Sequence, residues 1–304
     1  MTNALLLLVI LLATPSVALD DGSPIPWGAR GHEMAARAAT ETLPNGIPDF
    51  FRGSADQLIY LNPDPDRWRE RALREMDQAW TYDHYIDLEN VPPGALDRGD
   101  RWVFLKALYE AGLEKPERDV GFLPFRTIEM YQRLVTEWRL WRAETDPGKR
   151  AWIEARIVND AGILGHYVLD ATNPLHTTIH FNGWSSGAPN PNGYTTGQDF
   201  HRRFESEFVR AKIGYGDIRT RVTSEPRSVA GAGREAVMDH IHRSHAQVET
   251  LYRLDKEVGF HASAPLDPRT RDFAAERLAD GARMLRDLWW SAWLESGTEV
   301  PRGG

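Results

Sequence analysis

Apolar positions recur with a helical period over most of this chain. No run of five or more residues alternates between apolar and polar and is bounded by turns, so the pattern offers no clear strand. Helices are predicted at 31–42, 66–80, 101–111, 124–144, 151–171, 200–212, 229–252 and 268–295. The segment 151–171 is apolar on most faces, which indicates a buried helix. The pattern therefore predicts an all-α fold.

Two irregular segments, 87–99 and 182–197, interrupt the helical pattern and are rich in Gly and Pro. Long structured loops in compact domains are often functional. The second loop joins two candidate metal-binding pairs, so we expect it to form the rim of a pocket; a plain surface connection is the alternative. Because no repeat or linker divides the chain, we predict one multi-helix domain over 27–304.

The N-terminus predicts a signal peptide at 1–18, followed by a short extension at 19–26. Residues 4–13 are apolar but too few to span a bilayer comfortably, and small residues stand at Ser16 and Ala18. An uncleaved anchor is the alternative, since no Lys or Arg precedes the apolar run. The expected location is secreted or periplasmic.

Composition limits the available chemistry. The chain has no cysteine, so a metal must be held by His, Asp, Glu, main-chain atoms or water. The formal charge is −8 and no basic stripe is present, which weighs against high-affinity binding of duplex DNA. Nothing in the sequence points to a protein partner.

Two pairs of residues have the spacing of metal ligands. His166 and Asp170 are four apart on a predicted helix and so share a face, and His176 follows shortly after Pro174. His201 and Glu205 repeat this spacing. Imidazoles and carboxylates converging on one place are what a borderline cation such as zinc accepts. We therefore predict a metal site.

Other histidines and acids are weaker candidates when each is considered alone. His32, His84 and Asp66 lie far from the pairs in sequence, and such isolated residues are more often structural. Asp64 is an alternative to Asp66. His180 is expected to line the pocket or bond a loop. A second group, His240, His242 and His245, favours a solvated helix face, and His261 carries no signal.

Taken in order, these residues form a longer pattern. It reads Trp-x4-His, Asp-x2-Arg, His-aromatic-Ile-Asp, Gly-His-aromatic-x2-Asp-x3-Pro-Leu-His and His-x3-Glu, from Trp27 to about Val209. This order resembles the trinuclear zinc phosphodiesterases, which comprise the single-strand-specific nucleases (the S-one/P-one family) and the bacterial zinc-dependent phospholipases C. The Trp27–His32 step and the His-Tyr-Ile-Asp stretch look like the nucleases. The acid at Glu205 looks more like the phospholipases.

The resemblance implies a cleft that holds three zinc ions. One zinc would be held by Asp66, His84, His166 and Asp170; a second by Asp170 as a bridge, by His32 and by the amine and carbonyl of Trp27; and the third by His176, His201 and Glu205. The amine of Trp27 is available only if the mature chain begins there, whereas the signal-peptide rule favours cleavage after Ala18. Ligation by Trp27 therefore stays open.

The resemblance also implies an activity. The chain would be a secreted zinc-dependent phosphodiesterase, with Asp66 and Asp170 as catalytic carboxylates that hold the metals beside a metal-activated hydroxide. The expected substrate is single-stranded nucleic acid or a nucleotide. Phospholipid cleavage is the close alternative, and a non-catalytic metal-binding helical protein is a third.

Four further residues are candidates for substrate contact. Phe181, Trp184 and Tyr194 lie in or beside the long loop and could stack on a base. They could equally pack against a lipid headgroup or only fix the loop. Asp87 could contact substrate, although support of a ligand is the commoner role for an acid placed just after one.

Overall fold

The computed structural model describes residues 28–223 and 225–298, without the side chain of Arg98. The predicted signal peptide, the extension and Trp27 lie outside the described residues. Within the described part the regular elements are helical, and the β-type pairing found there is an isolated bridge between Phe181 and Gly183. The predicted all-α fold is confirmed.

The helices differ greatly in length. In chain order they are α1 (Gly28–Thr40), α2 (Asp49–Gly53), α3 (Ala55–Leu61), α4 (Asp64–Arg67), α5 (Arg74–Thr81), α6 (Arg101–Glu110), α7 (Pro116–Asp119), α8 (Leu123–Ala143), α9 (Pro147–Asp170), α10 (Phe200–Arg202), α11 (Val209–Lys212), α12 (Tyr215–Arg219), α13 (Gly233–His245), α14 (Val248–Glu257) and α15 (Pro268–Glu295). A π-helical segment, Arg203–Phe208, joins α10 to α11. Short 3-10 turns lie at Tyr82–His84, Leu88–Asn90, Leu96–Arg98 and Pro174–His176.

Helix α9 is the centre of the fold, as its apolar sequence predicts. It packs against α8, α15, α3 and α1, and its second half is buried continuously from Asp160 to Asp170. Two glycines let α3 approach it closely. A Cβ at Gly162 would lie 2.5 Å from Cβ of Leu61, and a Cβ at Gly165 would lie 2.2 Å from Nδ2 of Asn62. This contact brings the end of α3 to the residues around His166.

Capping residues fix both ends of this central region. The side chain of Asp146 accepts a hydrogen bond from the amide of Lys149 at 2.9 Å and begins α9. After α9 ends, the side chain of Asn173 accepts from the amide of Leu175 at 3.1 Å and starts the Pro174–His176 turn. The chain therefore reverses just beyond Asp170, which brings His176 back towards it.

Two predicted helices are wrong in extent. The 66–80 segment is interrupted between α4 and α5, where residues 69–73 are mostly exposed and have no buried face to hold a helix. The interruption lets Trp68 pack on Trp80, with ring centroids 4.9 Å apart. The 229–252 segment begins as a helix only at Gly233 and divides after His245. Its buried positions keep a helical spacing across the break, so the pattern gives no sign of it.

The sequence pattern missed the shortest helices, among them α2, α3, α7 and α12, because one or two turns show too little periodicity. Among the described helices, none combines the length and the apolar character that crossing a membrane requires.

Candidate metal centre

Three groups of potential ligand atoms converge in the fold, each group with its atoms within 4.8 Å of one another. The groups are His32, His166 and Asp170; Asp66, His84 and His166; and His176, His201 and Glu205. They contain all eight side chains that the sequence proposed as ligands within the described residues. The ninth, Trp27, lies outside them.

These side chains come from six separate parts of the chain. They are α1 for His32, α4 for Asp66, the Tyr82–His84 turn for His84, α9 for His166 and Asp170, the Pro174–His176 turn for His176, and α10 with the π-helical segment for His201 and Glu205. Only two pairs are therefore local in sequence. The rest of the site depends on tertiary packing around α9.

Asp170 lies where two of the groups meet. Its Oδ1 is 3.5 Å from Nε2 of His32. Its Oδ2 is 3.0 Å from Nδ1 of His84 and 3.2 Å from Nε2 of His166. A carboxylate whose two oxygens face different imidazoles has the arrangement of a ligand shared by two cations.

Asp66 completes the second group. Its Oδ1 is 3.8 Å from Nδ1 of His84 and 3.8 Å from Nε2 of His166. Asp64, the alternative, instead pairs with Arg67 and is 21% exposed at its side chain. Both acids stand three residues before an arginine, so the tertiary arrangement rather than the spacing selects Asp66.

The third group is more open to solvent than the other two. His201 Nε2 lies 2.8 Å from Oε2 of Glu205, and His176 Nε2 lies 3.2 Å from the same His201 nitrogen. The His201 side chain is 18% exposed, whereas that of Glu205 is 1% exposed. Asn173 donates from Nδ2 to Oε2 of Glu205 at 2.9 Å and holds the carboxylate in place.

Backbone carbonyls fix the tautomers of two histidines. His166 Nδ1 lies 3.0 Å from the carbonyl of Asn62, and His176 Nδ1 lies 2.7 Å from the carbonyl of His84. Because a carbonyl only accepts, Nδ1 must carry the hydrogen in both rings. Each Nε2 lone pair is then directed at the ligand groups, which is how metal-binding histidines are commonly oriented.

Several atoms of the site are buried without a hydrogen-bond partner, although buried polar atoms are normally paired. They are Nε2 of His32, both oxygens of Asp66, Nε2 of His84, Oδ1 of Asp170 and Oε1 of Glu205. Leaving carboxylate oxygens buried and unpaired is costly, and a bound cation removes that cost. The nitrogen and oxygen donor set fits zinc or a similar divalent cation.

Burial and mutual charge shift the pKa values of the site in opposite directions. Burial raises the pKa of Asp66 to about 7, and it lowers that of His84 to about 3. Burial also acts against the charged form of His176. The negative charges of Asp170 and Glu205 outweigh this effect of burial and raise the pKa of His176 to about 9. His201 and His176 likewise outweigh burial at Glu205 and lower its pKa to about 2. A cation that binds His176 must therefore displace a proton from it.

The aromatic residues proposed for substrate contact divide into two sets. Phe181 is 50% exposed, and its ring centroid lies 6.4 Å from that of His201. Trp184 instead stacks on His180 at 3.7 Å, and Tyr194 is only 8% exposed beside Trp184. Their rings are used to pack the loop, so Phe181 alone of the three offers an open ring face near the site.

Asp87 is buried, with 7% of its surface exposed. Burial, together with the charges of Glu89 and Asp119, raises its pKa to about 8. Its backbone amide donates to the carbonyl of Val120 at 2.7 Å. Asp87 is therefore buried rather than presented on an open surface.

Three of the remaining histidines bond within the fold, whereas His242 and His261 are exposed. His180 Nδ1 accepts a hydrogen bond from the amide of Ser185 at 3.0 Å. This contact holds the loop, which is one of the two roles predicted for His180. The solvated face is wrong for His240, which is 2% exposed and bonds Thr172 at 2.9 Å, because α13 packs on α8 and α15. His245 Nδ1 donates to the carbonyl of Thr177 at 2.9 Å.

Sequence reasoning missed two buried asparagines that hold the ligands. Asn62 contacts His32 and His166, and Asn173 contacts Glu205. Asn173 could have been found as a capping residue before Pro174. Asn62 has no periodic signal of its own.

No family model matches the chain, and no solved structure matches it. A probable serine protease of Bradyrhizobium tropiciagri is 25% identical to it over 209 residues, which is 60% of this chain. The chain spans about a quarter of that relative's length.

Proposed function

We propose that this chain is a zinc-dependent phosphodiester hydrolase, secreted or periplasmic, that cleaves single-stranded DNA or RNA. The observation that carries the proposal is the placement of Asp170 between two groups of buried imidazoles, with a third group beside them. Residues 1–27, on which the location depends, lie outside the described part of the chain.

The residues of the site suit this chemistry. Bound divalent cations supply a Lewis acid for phosphoryl oxygens and an activated water near neutral pH. Asp66 and Asp170 would offset the charge of those cations. His166 belongs to two of the groups, and Asp170 faces His32 with one oxygen and His84 with the other, so both residues fix the groups relative to each other. Among the acid–imidazole pairs of the site, His201 has the most exposed side chain. We therefore expect substrate phosphate to approach the site from the side of His201.

The exposed ring of Phe181 favours a nucleic-acid substrate. It lies next to His201, where a base attached to a bound phosphate could stack on it. The absence of a basic stripe agrees with short or single-stranded substrates rather than a long duplex. The same ring could pack against a lipid headgroup, which keeps phospholipase C activity as the alternative.

The name of the distant relative raises serine protease chemistry as a rival. A hydroxyl–imidazole–carboxylate series does exist: Thr172 Oγ1 lies 2.9 Å from His240 Nε2, and His240 Nδ1 lies 3.9 Å from Asp280. However, Thr172 is 1% exposed and its hydroxyl donates to the carbonyl of Val168. A peptide carbonyl has no access to that hydroxyl, so this series does not support proteolysis.

A parallel substrate panel tests the proposal. Purified zinc-loaded protein is incubated with single-stranded DNA, RNA, dispersed phosphatidylcholine and casein, each with and without EDTA. We expect EDTA-sensitive cleavage of the nucleic acids above that of the lipid. Dominant turnover of phosphatidylcholine would favour the phospholipase, and EDTA-resistant cleavage of casein alone would overturn the proposal.

A further inference from the structure

Asn62 contacts two histidines of the site through two different groups. Its side-chain Oδ1 lies 2.9 Å from Nδ1 of His32. Its backbone carbonyl lies 3.0 Å from Nδ1 of His166. Asn62 itself is fully buried, at 0% exposure. One residue at the end of α3 therefore holds a ligand from α1 and a ligand from α9.

The two contacts align the rings with each other. The imidazoles of His32 and His166 stack with centroids 4.2 Å apart and planes 10° apart. With both Nδ1 atoms held by Asn62, both Nε2 atoms face Asp170, at 3.5 Å from Oδ1 and 3.2 Å from Oδ2. The alignment thus directs one imidazole to each oxygen of the shared carboxylate.

The amide orientation of Asn62 follows from its surroundings. Its Nδ2 is buried without a hydrogen-bond partner and lies against α9 where Gly165 has no side chain. A Cβ on Gly165 would come within 2.2 Å of that nitrogen. The contact with α9 therefore restricts the orientation of the Asn62 side-chain amide. In this orientation Oδ1 of Asn62 accepts a hydrogen bond from Nδ1 of His32.

We propose that Asn62 is a positioning residue that sets the tautomer and orientation of His32 through its side chain, and of His166 through its backbone. Both rings are then presented to neighbouring cation positions. The inference rests on the proposed function, since it assumes that these histidines hold metal. The side-chain and backbone contacts are separable, because a substitution at position 62 removes only the first.

The test compares Asn62→Leu with Asn62→Asp. Leu has a similar volume and no acceptor, so His32 loses its partner while the carbonyl that holds His166 remains. Asp keeps an acceptor oxygen for His32 Nδ1. Zinc bound per chain is measured by elemental analysis after dialysis against graded chelator, and histidine tautomers are measured by ¹⁵N NMR.

We expect Asn62→Leu to weaken zinc binding about 10- to 100-fold at one position, that of His32, because outer partners of metal-bound histidines have effects of this size. The His32 ring should also lose its single Nδ1–H tautomer, while that of His166 is retained. Asn62→Asp should restore both properties. A general loss of structure would not be rescued in this way.

Two glycine substitutions provide a matched pair. Gly165→Ala places a Cβ against the Asn62 amide, and Gly162→Ala places one 2.5 Å from Leu61 Cβ in the same helix contact. Both strain the packing of α3 on α9, but only Gly165→Ala should reduce zinc binding at the His32 position. Equal zinc loss in both variants would overturn the positioning role.

The outcomes separate the two proposals. Full zinc binding and an unchanged His32 tautomer in Asn62→Leu would overturn the inference about Asn62 and leave the metal centre intact. A wild-type protein that binds no zinc would overturn the proposed function and this inference together.

Discussion

The imidazole of His176 donates from Nδ1 to the backbone carbonyl of His84 across 2.7 Å. The carbonyl of His176 in turn accepts from the amide of Ile86 at 2.9 Å. The two turns that carry these histidines are thus tied together by two hydrogen bonds. As a result, the third ligand group is connected through the backbone to the group around Asp66. We expect both groups to lose their order together when metal is removed.

Metal removal should lower the melting temperature. The ligands join α1, α4, α9 and the π-helical segment, so a cation that binds only the folded chain stabilises it by mass action. We expect EDTA to lower the transition in calorimetry and added zinc to restore it. If EDTA strips the metal and melting stays the same, the site is not part of what holds the helices together.

Asp170→Asn should be more damaging than Glu205→Gln. Asp170 has an oxygen facing each of two ligand groups, whereas Glu205 belongs to one. Loss of the Asp170 charge should therefore reduce kcat further and release more zinc. Activity and zinc content are measured together for both variants. Equal loss of activity with full zinc retention in the two proteins would count against the shared role of Asp170.

Phe181→Ala should weaken nucleic-acid substrates selectively. A base stacked on the exposed ring contributes about 1–3 kcal/mol. We expect kcat/KM to fall on single-stranded DNA and to stay nearly constant on a small phosphodiester without a base.

Trp184→Ala is the matched aromatic variant. Trp184 stacks on His180 inside the loop, so its loss should affect both substrate types alike. If Phe181→Ala also lowers kcat/KM equally on both substrate types, Phe181 only supports the loop.

Glu137→Gln should stabilise the protein more as pH rises. Burial and the hydrogen bond with Asp160 raise the pKa of Glu137 to about 8. Its contribution to stability is therefore fully present below its usual pKa and is lost as pH rises towards 8, because the unfolded chain has already released the proton. Glutamine has no proton to lose.

Urea unfolding at pH 5, 6, 7 and 8 measures this effect. The advantage of Glu137→Gln should grow with pH, by at most about 1.4 kcal/mol per pH unit. Glu249→Gln, at an exposed position of α14, is the control and should show no such trend. A constant or shrinking difference for Glu137→Gln would contradict the raised pKa.

Local spacing predicted which side chains lie together within two of the groups. His166 with Asp170, and His201 with Glu205, are each four apart, so helix geometry alone brings them together. Asn62 could not be found in this way, because its position depends on the approach of α3 to Gly162 and Gly165.

The loop aromatics show a different limit of sequence reasoning. Trp184 and Tyr194 occur in a Gly/Pro-rich segment whether they face substrate or pack inward, and the composition of the segment is the same in both cases. Only the contacts with His180 and Tyr252 decide between the two. The burial of His240 against Thr172 likewise depends on how α13 packs on α8 and α15.

Anomalous scattering at the zinc absorption edge tests the metal centre around Asp170 most directly. Crystals are grown from protein purified without chelator, and difference maps are calculated above and below the edge. We predict zinc peaks within the three ligand groups, two of them in contact with different oxygens of Asp170. Maps with no zinc peak beside Asp170, from protein that is active on phosphodiesters, would contradict the proposed centre.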